Sequence, residues 1–344
     1  MSLPADFLTW LDANAAALDN GTADASMLLP GLIAAGAAEG DVLAAVAAIS
    51  RISEHSMAAG FVLWGHRVFM EYLIQSPNVA LCERLLPDLR AGRVAGATGL
   101  SNAMKFLSGL EGLQISAQPV GKNFILNGGM PWVTNLRPQG FHVAAAIAHA
   151  DGAFVAALPH DAPGLERSLD LDLMAMRATN TAAIRLTDTK LSSEDILHPQ
   201  ATQFLPQVRP AFLGMQCGMS IGLARRALAE ARLCAGAARH VLRAPIDDLD
   251  ETLIAQERAL LDGLRAQRFH SAPAKLFEIR IDLAETASQA VALELQASGG
   301  RAYLMPAGDG FARRWREAAF VPVITPSLVQ LKSALAAQIK QAAA

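Results

Sequence analysis

A chain of 344 residues can hold two or three domains around a sizeable core. With 52% hydrophobic but only 6% aromatic residues, it favours closely packed helices over an all-β chain. A net charge of −3, from 29 basic and 32 acidic side chains, excludes a bulk electrostatic drive toward nucleic acid or an anionic membrane. Cys82, Cys217 and Cys234 are an odd set without CxxC spacing, which argues against a disulfide framework or zinc site and suits a reducing compartment.

Residues 1–8 carry no basic or apolar signal region, so a cytoplasmic protein is expected. "PADFLTWLDANAAALDN" places Phe7, Leu8, Leu11, Ala15 and Leu18 near helical spacing, and Asn20-Gly21 is a natural stop. The apolar run from Gly40 to Ile74 predicts two buried helices with a break near Gly60, and "ALCERLLPDLRAGR" predicts another ending at Gly92. The pattern changes at Val94. Val94–Thr98 reads as a strand, and Leu113, Ile115, Ala117 and Pro119 alternate with polar residues. Gly121-Lys122-Asn123 turns the chain into Phe124–Leu126. Asn127-Gly128-Gly129 then predicts a hairpin, with Trp132 and Thr134 on one face of its second strand. Asp151-Gly152 predicts a further hairpin inside "FHVAAAIAHADGAFVAAL", whose His142, His149 and Asp151 exclude a membrane span. Strand material continues around Ile184 and Leu186, so the middle of the chain is expected to be an antiparallel sheet.

Helices return from about Gln200. Ile221, Ala224, Leu228, Ala231 and Ala235 recur on one helix face, and Arg226 pairs with Glu230 at i,i+4. Further helices are predicted over Asp247–Arg268, over Pro273–Ser298 with Gly299-Gly300 as C-cap, and over Ser327–Ala343. Arg313-Arg314-Trp315-Arg316 reads as a solvated or interface face.

Five stretches stand in a fixed order: "LLPDLRAGRVAGAT", "GKNFILNGGMPWVTN", "AMRATNTAAIRLTDTKLSSEDIL", "GLARRALAEA" followed by Arg239, and "QASGGRAY". In that order they resemble the acyl-CoA dehydrogenase superfamily of flavoproteins over nearly the whole chain. The resemblance implies an α+β multi-domain fold: an N-terminal α-helical domain over 1–93, a middle antiparallel β-domain over 94–199, and a C-terminal four-helix bundle over 200–344. It also implies FAD, with Trp132 packed at the flavin, Thr134 bonded near its reactive nitrogen and Thr98 at another flavin-contacting position. Arg239 would reach the diphosphate, and Gln296, Gly299 and Gly300 the cofactor of a neighbouring subunit in a homodimer or homotetramer. A flat ring with polar edges suits a Trp wall and Thr hydroxyls, and a guanidinium suits a phosphate. The chain has no GxGxxG fingerprint.

The chain also departs from the family pattern. "TGLSNAMKF" lacks the acid that usually follows Thr98, and Leu242-Arg243 replaces the usual Phe-Gly. The family's catalytic Glu falls on Thr325 in "VITPSLVQLK", and its alternative location falls on Leu213. Thr325 is expected to be a helix N-cap with Pro326 at the first helical position. His66, His240 and His270 read as structural or exposed, and nothing ties Asp309 to the flavin. Three functions follow from the resemblance: α,β-dehydrogenation of an acyl-CoA or related thioester, oxygenation by reduced flavin, or a non-catalytic FAD-binding subunit. The first two imply an electron-transfer or flavin reductase partner. Thr325 is the candidate catalytic position.

Overall fold

The structure, a computed structural model, describes residues 3–342 apart from 108, 110 and 307, and only the backbone of 237, 238 and 339–342. Residue 343, expected to end the last helix, lies outside them. Five helices come first: α1 (Ala5–Asn20), α2 (Leu28–Ala34), α3 (Val42–Ser53), α4 (Met57–Gln75) and α5 (Val79–Arg90). Their ends follow from side-chain chemistry. Asp41 accepts from the Ala44 N–H, Ser56 from Ala59 and Asn78 from Leu81, each satisfying an orphan donor of a first turn. The expected break at Gly60 is not there. The chain turns at residues 54–56 instead, and Gly60 lies inside α4. A Cβ at Gly60 would sit 2.0 Å from Ser53 Oγ, so this glycine permits a close helix contact and marks no helix end.

The sheet has eight strands: β1 (Ala95–Thr98), β2 (Ile115–Val120), β3 (Asn123–Val133), β4 (Phe141–His149), β5 (Gly152–Pro159), β6 (Leu165–Arg167), β7 (Ala182–Ser192) and β8 (Ile196–His198). A short helix, α6 (Ser101–Leu107), separates β1 from β2. The order is β6-β7-β3-β2-β4-β5-β8, with β1 also on β4. Most pairs are antiparallel, but β1 and β2 run parallel to β4, so the sheet is mixed rather than antiparallel throughout. The connections at Gly121 and at Asp151-Gly152 turn as read from the sequence. The third expected turn, at Asn127-Gly128-Gly129, is wrong. β3 runs through it as one strand between β2 and β7. Gly128 takes φ +137 at a register shift, where a Cβ would lie 2.2 Å from the Gln114 carbonyl oxygen. An Asn-Gly pair supplies a turn or a bulge with the same local chemistry, and the flanking strands choose the bulge.

The C-terminal part holds α7 (Ala201–Cys234), α8 (Arg243–Arg265), α9 (Pro273–Ser298), α10 (Asp309–Phe320) and α11 (Leu328–Ala342). α7 packs on α8, α9 and the earlier α3, while α9 also meets α10 and α11. The predicted face Ile221, Ala224, Leu228 and Ala231 is fully buried, and Arg226 meets Glu230 at 2.8 Å. The run Asp309–Gln338 has the length and mean hydropathy of a membrane span. It is broken between α10 and α11, and it carries buried ion pairs that require protein partners.

His66 ties the first layer to the second. It is wholly buried in α4, where its Nε2 donates to the Leu89 carbonyl at 3.1 Å and its Nδ1 accepts from the Gly96 N–H at 3.0 Å. Burial pushes its pKa down to about 4, and the ring is neutral as the two bonds require. The unfolded chain therefore takes up a proton first. The stability His66 contributes is complete above about pH 6.5 and is lost as pH falls toward 4. A His66→Gln variant should lose stability less steeply across that window, by up to ~1.4 kcal/mol per pH unit, in urea titrations at each pH. Burial also pushes His142 down to about 4, but it titrates in both proteins, so the comparison isolates His66.

Candidate active site

β1 and β2 lie end to end along β4. β1 covers Phe141 to Ala144, and β2 touches it at Ala148. Between them the chain leaves the sheet through Gly99, α6 and the segment to Gln114. The gap uncovers part of β4 and opens a cavity of about 550 Å³, within the usual range for a small-molecule site. Its floor includes Ala146, and its sides are Thr98, Gly99 and Ile115 with Gly129 to Trp132 of β3. Phe61 and Trp64 of α4 close one end. Arg316, Ala319 and Phe320 of α10 and the connection through Thr325 close another.

Four of the residues singled out in the sequence meet here: Thr98, Trp132, Thr134 and Thr325. Trp132 and Thr134 both line the cavity, but to different depths. Thr134 lies just beyond β3 and is 5% exposed, whereas Trp132 is 61% exposed along the wall. The strand loses register between Met130 and Val133, which breaks the simple alternation. Thr98 is buried, and its hydroxyl lies 3.0 Å from the Tyr72 phenol, whose own pKa is pushed up by burial. Arg239, Gln296, Gly299 and Gly300 line no part of this cavity. Arg239 lies against Gly299, where a Cβ would stand 2.6 Å from its Nη2. Gln296 borders a separate open groove between α8 and α9, with Asp248 and Thr252.

Thr325 is not a helix cap. Ser327 takes that role: its N–H donates to Gln330 Oε1 at 2.7 Å, and its hydroxyl accepts from the Gln330 N–H at 3.4 Å. The Thr325 carbonyl accepts from Gln216 Nε2 at 3.0 Å. Gln216 Oε1 in turn accepts from Arg280 Nε at 2.7 Å, and Arg280 Nη2 donates to the Val321 carbonyl at 2.8 Å. Arg280 is wholly buried, which lowers its pKa. Sequence reading passed over both residues, because their partners lie far along the chain.

The cluster at residues 313–316 is also not a solvated face. Arg313 meets Glu317 at 2.6 Å and Arg314 holds Glu294 bidentately, with all four side chains buried. Arg316 pairs with the buried Asp19 of α1, and Asp19 also accepts from the Met176 N–H at 2.9 Å. Glu111 is the one carboxylate among the described lining residues. Asn102 and Lys105 donate to it and hold its pKa below the usual carboxylate range. It is ionised but weakly basic. Three threonines add hydroxyls to the wall: Thr134, Thr179 and Thr181, the last two unmarked by the sequence reading.

The residues present suit a flavin. Trp132 leaves aromatic surface open in a largely apolar cavity, and several hydroxyls stand where the polar edge of a flat ring would need partners.

No protein-family model matches the chain. Over 159 residues, 44% of its length, it is 28% identical to isovaleryl-CoA dehydrogenase of Pongo abelii, and the match spans 37% of that relative. Butyryl-CoA dehydrogenase from Megasphaera elsdenii superposes over 98% of the chain and 99% of its own, with a TM-score of 0.82 at 17% identity. The chain has the acyl-CoA dehydrogenase fold. The same fold occurs in a protein named for a different activity. A nitrososynthase from Micromonospora carbonacea var. africana covers 97% of this chain and 94% of its own, with a TM-score of 0.79 at 20% identity. The chain spans less than two thirds of the length of the curated relatives it matches. The far wall of the cavity hangs on α10, and α10 hangs on buried charge. Arg314→Met should cost ~3–5 kcal/mol in urea unfolding by stranding Glu294, and adding Glu294→Leu should recover most of that loss.

Proposed function

We propose that the protein is an FAD-dependent oxidoreductase of acyl-CoA dehydrogenase type, with 1–93, 94–199 and 200–344 as its domains. Its substrate would be an acyl thioester or a related small molecule. The carrying observation is that Thr98, Trp132, Thr134 and Thr325, from three segments of the chain, converge on one apolar cavity. FAD supplies two-electron redox chemistry when bound. Trp132 excludes water from one side of it, and Thr98 and Thr134 offer hydroxyls to its edge. Arg239, Gln296, Gly299 and Gly300 serve the cofactor from a neighbouring subunit in a homodimer or homotetramer. Their distance from the cavity supports that reading, as does the exposure of Val241, Tyr303 and Leu304 on adjoining segments.

The purified protein should carry FAD or take it up on reconstitution, as an oligomer by light scattering. Arg239→Ala should weaken FAD by ~1.5–3 kcal/mol, the size of a charge-assisted hydrogen bond. A colourless protein that takes up no FAD sinks the reading. A stable FAD-loaded monomer sinks only the cross-subunit part.

A second reading, oxygenation by reduced flavin with a reductase partner, is favoured by the Thr325 wall. Removal of an α-proton needs a base within about 3 Å of it. Thr325 is no such base, its carbonyl is engaged by Gln216, and the nearest buried ionic group along that network is the cationic Arg280. Saturated straight-chain and branched acyl-CoAs should therefore bleach the flavin only slowly in anaerobic stopped-flow, ~10²–10⁴-fold below a base-equipped site. Rapid bleaching by the wild type means that a base acts from elsewhere and favours dehydrogenation. Slow bleaching, with oxygen uptake driven by NADH and a flavin reductase, favours oxygenation.

A further inference from the structure

Thr134, Thr179 and Thr181 form a continuous chain of hydroxyls in the cavity wall, at 5%, 0% and 7% exposure. Thr179 Oγ1 lies 2.7 Å from Thr181 Oγ1, and Thr181 Oγ1 lies 3.2 Å from Thr134 Oγ1. Each hydroxyl has one proton to give and can accept another. Thr181 donates to Thr134, so Thr134 needs a different acceptor for its own proton. In the structure that acceptor is the Thr179 carbonyl, at a long 3.3 Å. The same carbonyl accepts from the Asn135 N–H at 2.9 Å. It therefore stays satisfied if Thr134 turns away, and the Thr134 proton can leave without orphaning a buried acceptor. At the other end the single Thr179 proton has two acceptors, the Thr181 hydroxyl at 2.7 Å and the Met176 carbonyl at 2.8 Å, and the chain runs toward Thr134 when that proton goes to Thr181.

We propose that Thr181, held by Thr179, is a positioning residue that turns the Thr134 proton toward the ligand in the cavity and strengthens it as a donor. The proposal rests on the flavin reading above. Hydroxyls in series polarise one another, so a donor with a second donor behind it is stronger than one alone. Charge that accumulates on the ring edge during reduction is then better stabilised than a lone threonine would allow. No covalent bond is made or broken at the threonines, because only their O–H rotors turn. Thr179 and Thr181 need not touch the ligand to do this.

The test uses FAD-loaded wild type, Thr181→Val, Thr181→Ser, Thr134→Val and the Thr134→Val/Thr181→Val double variant. The two-electron midpoint potential against a reference dye reads the ratio of affinities for reduced and oxidised FAD. Thr181→Val should move it negative, by the equivalent of a ~2–10-fold change in that ratio, the range of a single neutral hydrogen bond. Thr181→Ser should restore it. In the Thr134→Val background, Thr181→Val should add nothing. Thr181→Ala replaces the valine variant if that does not fold. An unchanged potential in the hydroxyl-free variants overturns the proposal, as does an effect of equal size when Thr134 is already Val. A wild type that binds no FAD overturns the flavin reading itself, and the inference with it.

Discussion

The far wall of the cavity depends on guanidinium groups that have been taken out of water. Arg313 and Arg314 are each closed against a buried carboxylate, while Arg280 has an amide and a backbone carbonyl instead. A buried cation without a hydrogen-bonded partner is very costly, so the network admits few alternative positions for the segments it joins. α10 is held to α9 through Glu294, and to the start of α4 through Glu317, which also accepts from the Met57 N–H. The segment from Val321 to Thr325 is held through Arg280 and Gln216 on α9 and α7. The apolar side chains around it supply the bulk of the burial, but the charges choose the register.

The sheet contributes the opposite feature, a place where pairing stops. β4 is covered by two different strands, and the chain between them leaves the sheet. A continuous partner would bury the alanines of β4 and leave no room for a ligand. The interruption, with small residues at Gly99, Gly129 and Ala146, opens space on the inner side of an otherwise filled layer. Position in the fold, more than any single side chain, creates the cavity.

What the sequence made legible was whatever its neighbours in the chain decide. The buried face of α7, the turn at Gly121 and the Asp151-Gly152 hairpin all rest on residues a few positions apart. Asn127-Gly128-Gly129 was misread because a turn and a bulge call for the same residues, and β2 and β7 on either side decide between them. The arginines of α10 were misread because Glu294 and Asp19 are remote in sequence, and an unpartnered basic run looks solvated. For the site, the resemblance marked Thr98, Trp132, Thr134 and Thr325, which meet. Thr179, Thr181, Gln216 and Arg280 carry no local signal, because their roles lie in contacts with distant segments.

The pair between Asp19 and Arg316 spans 297 residues. During synthesis the carboxylate that ends up buried at the close of α1 emerges long before its cation. Until then α1 and the Met176 loop that shares this carboxylate have an unmatched charge where the finished protein has an ion pair. Long-range closure of this kind is slow and leaves apolar surface open in the meantime. The N-terminal helices can form early, but their final seating waits for the tenth helix. A chain interrupted before α10 would lack the cavity wall and also the charge that settles its own beginning.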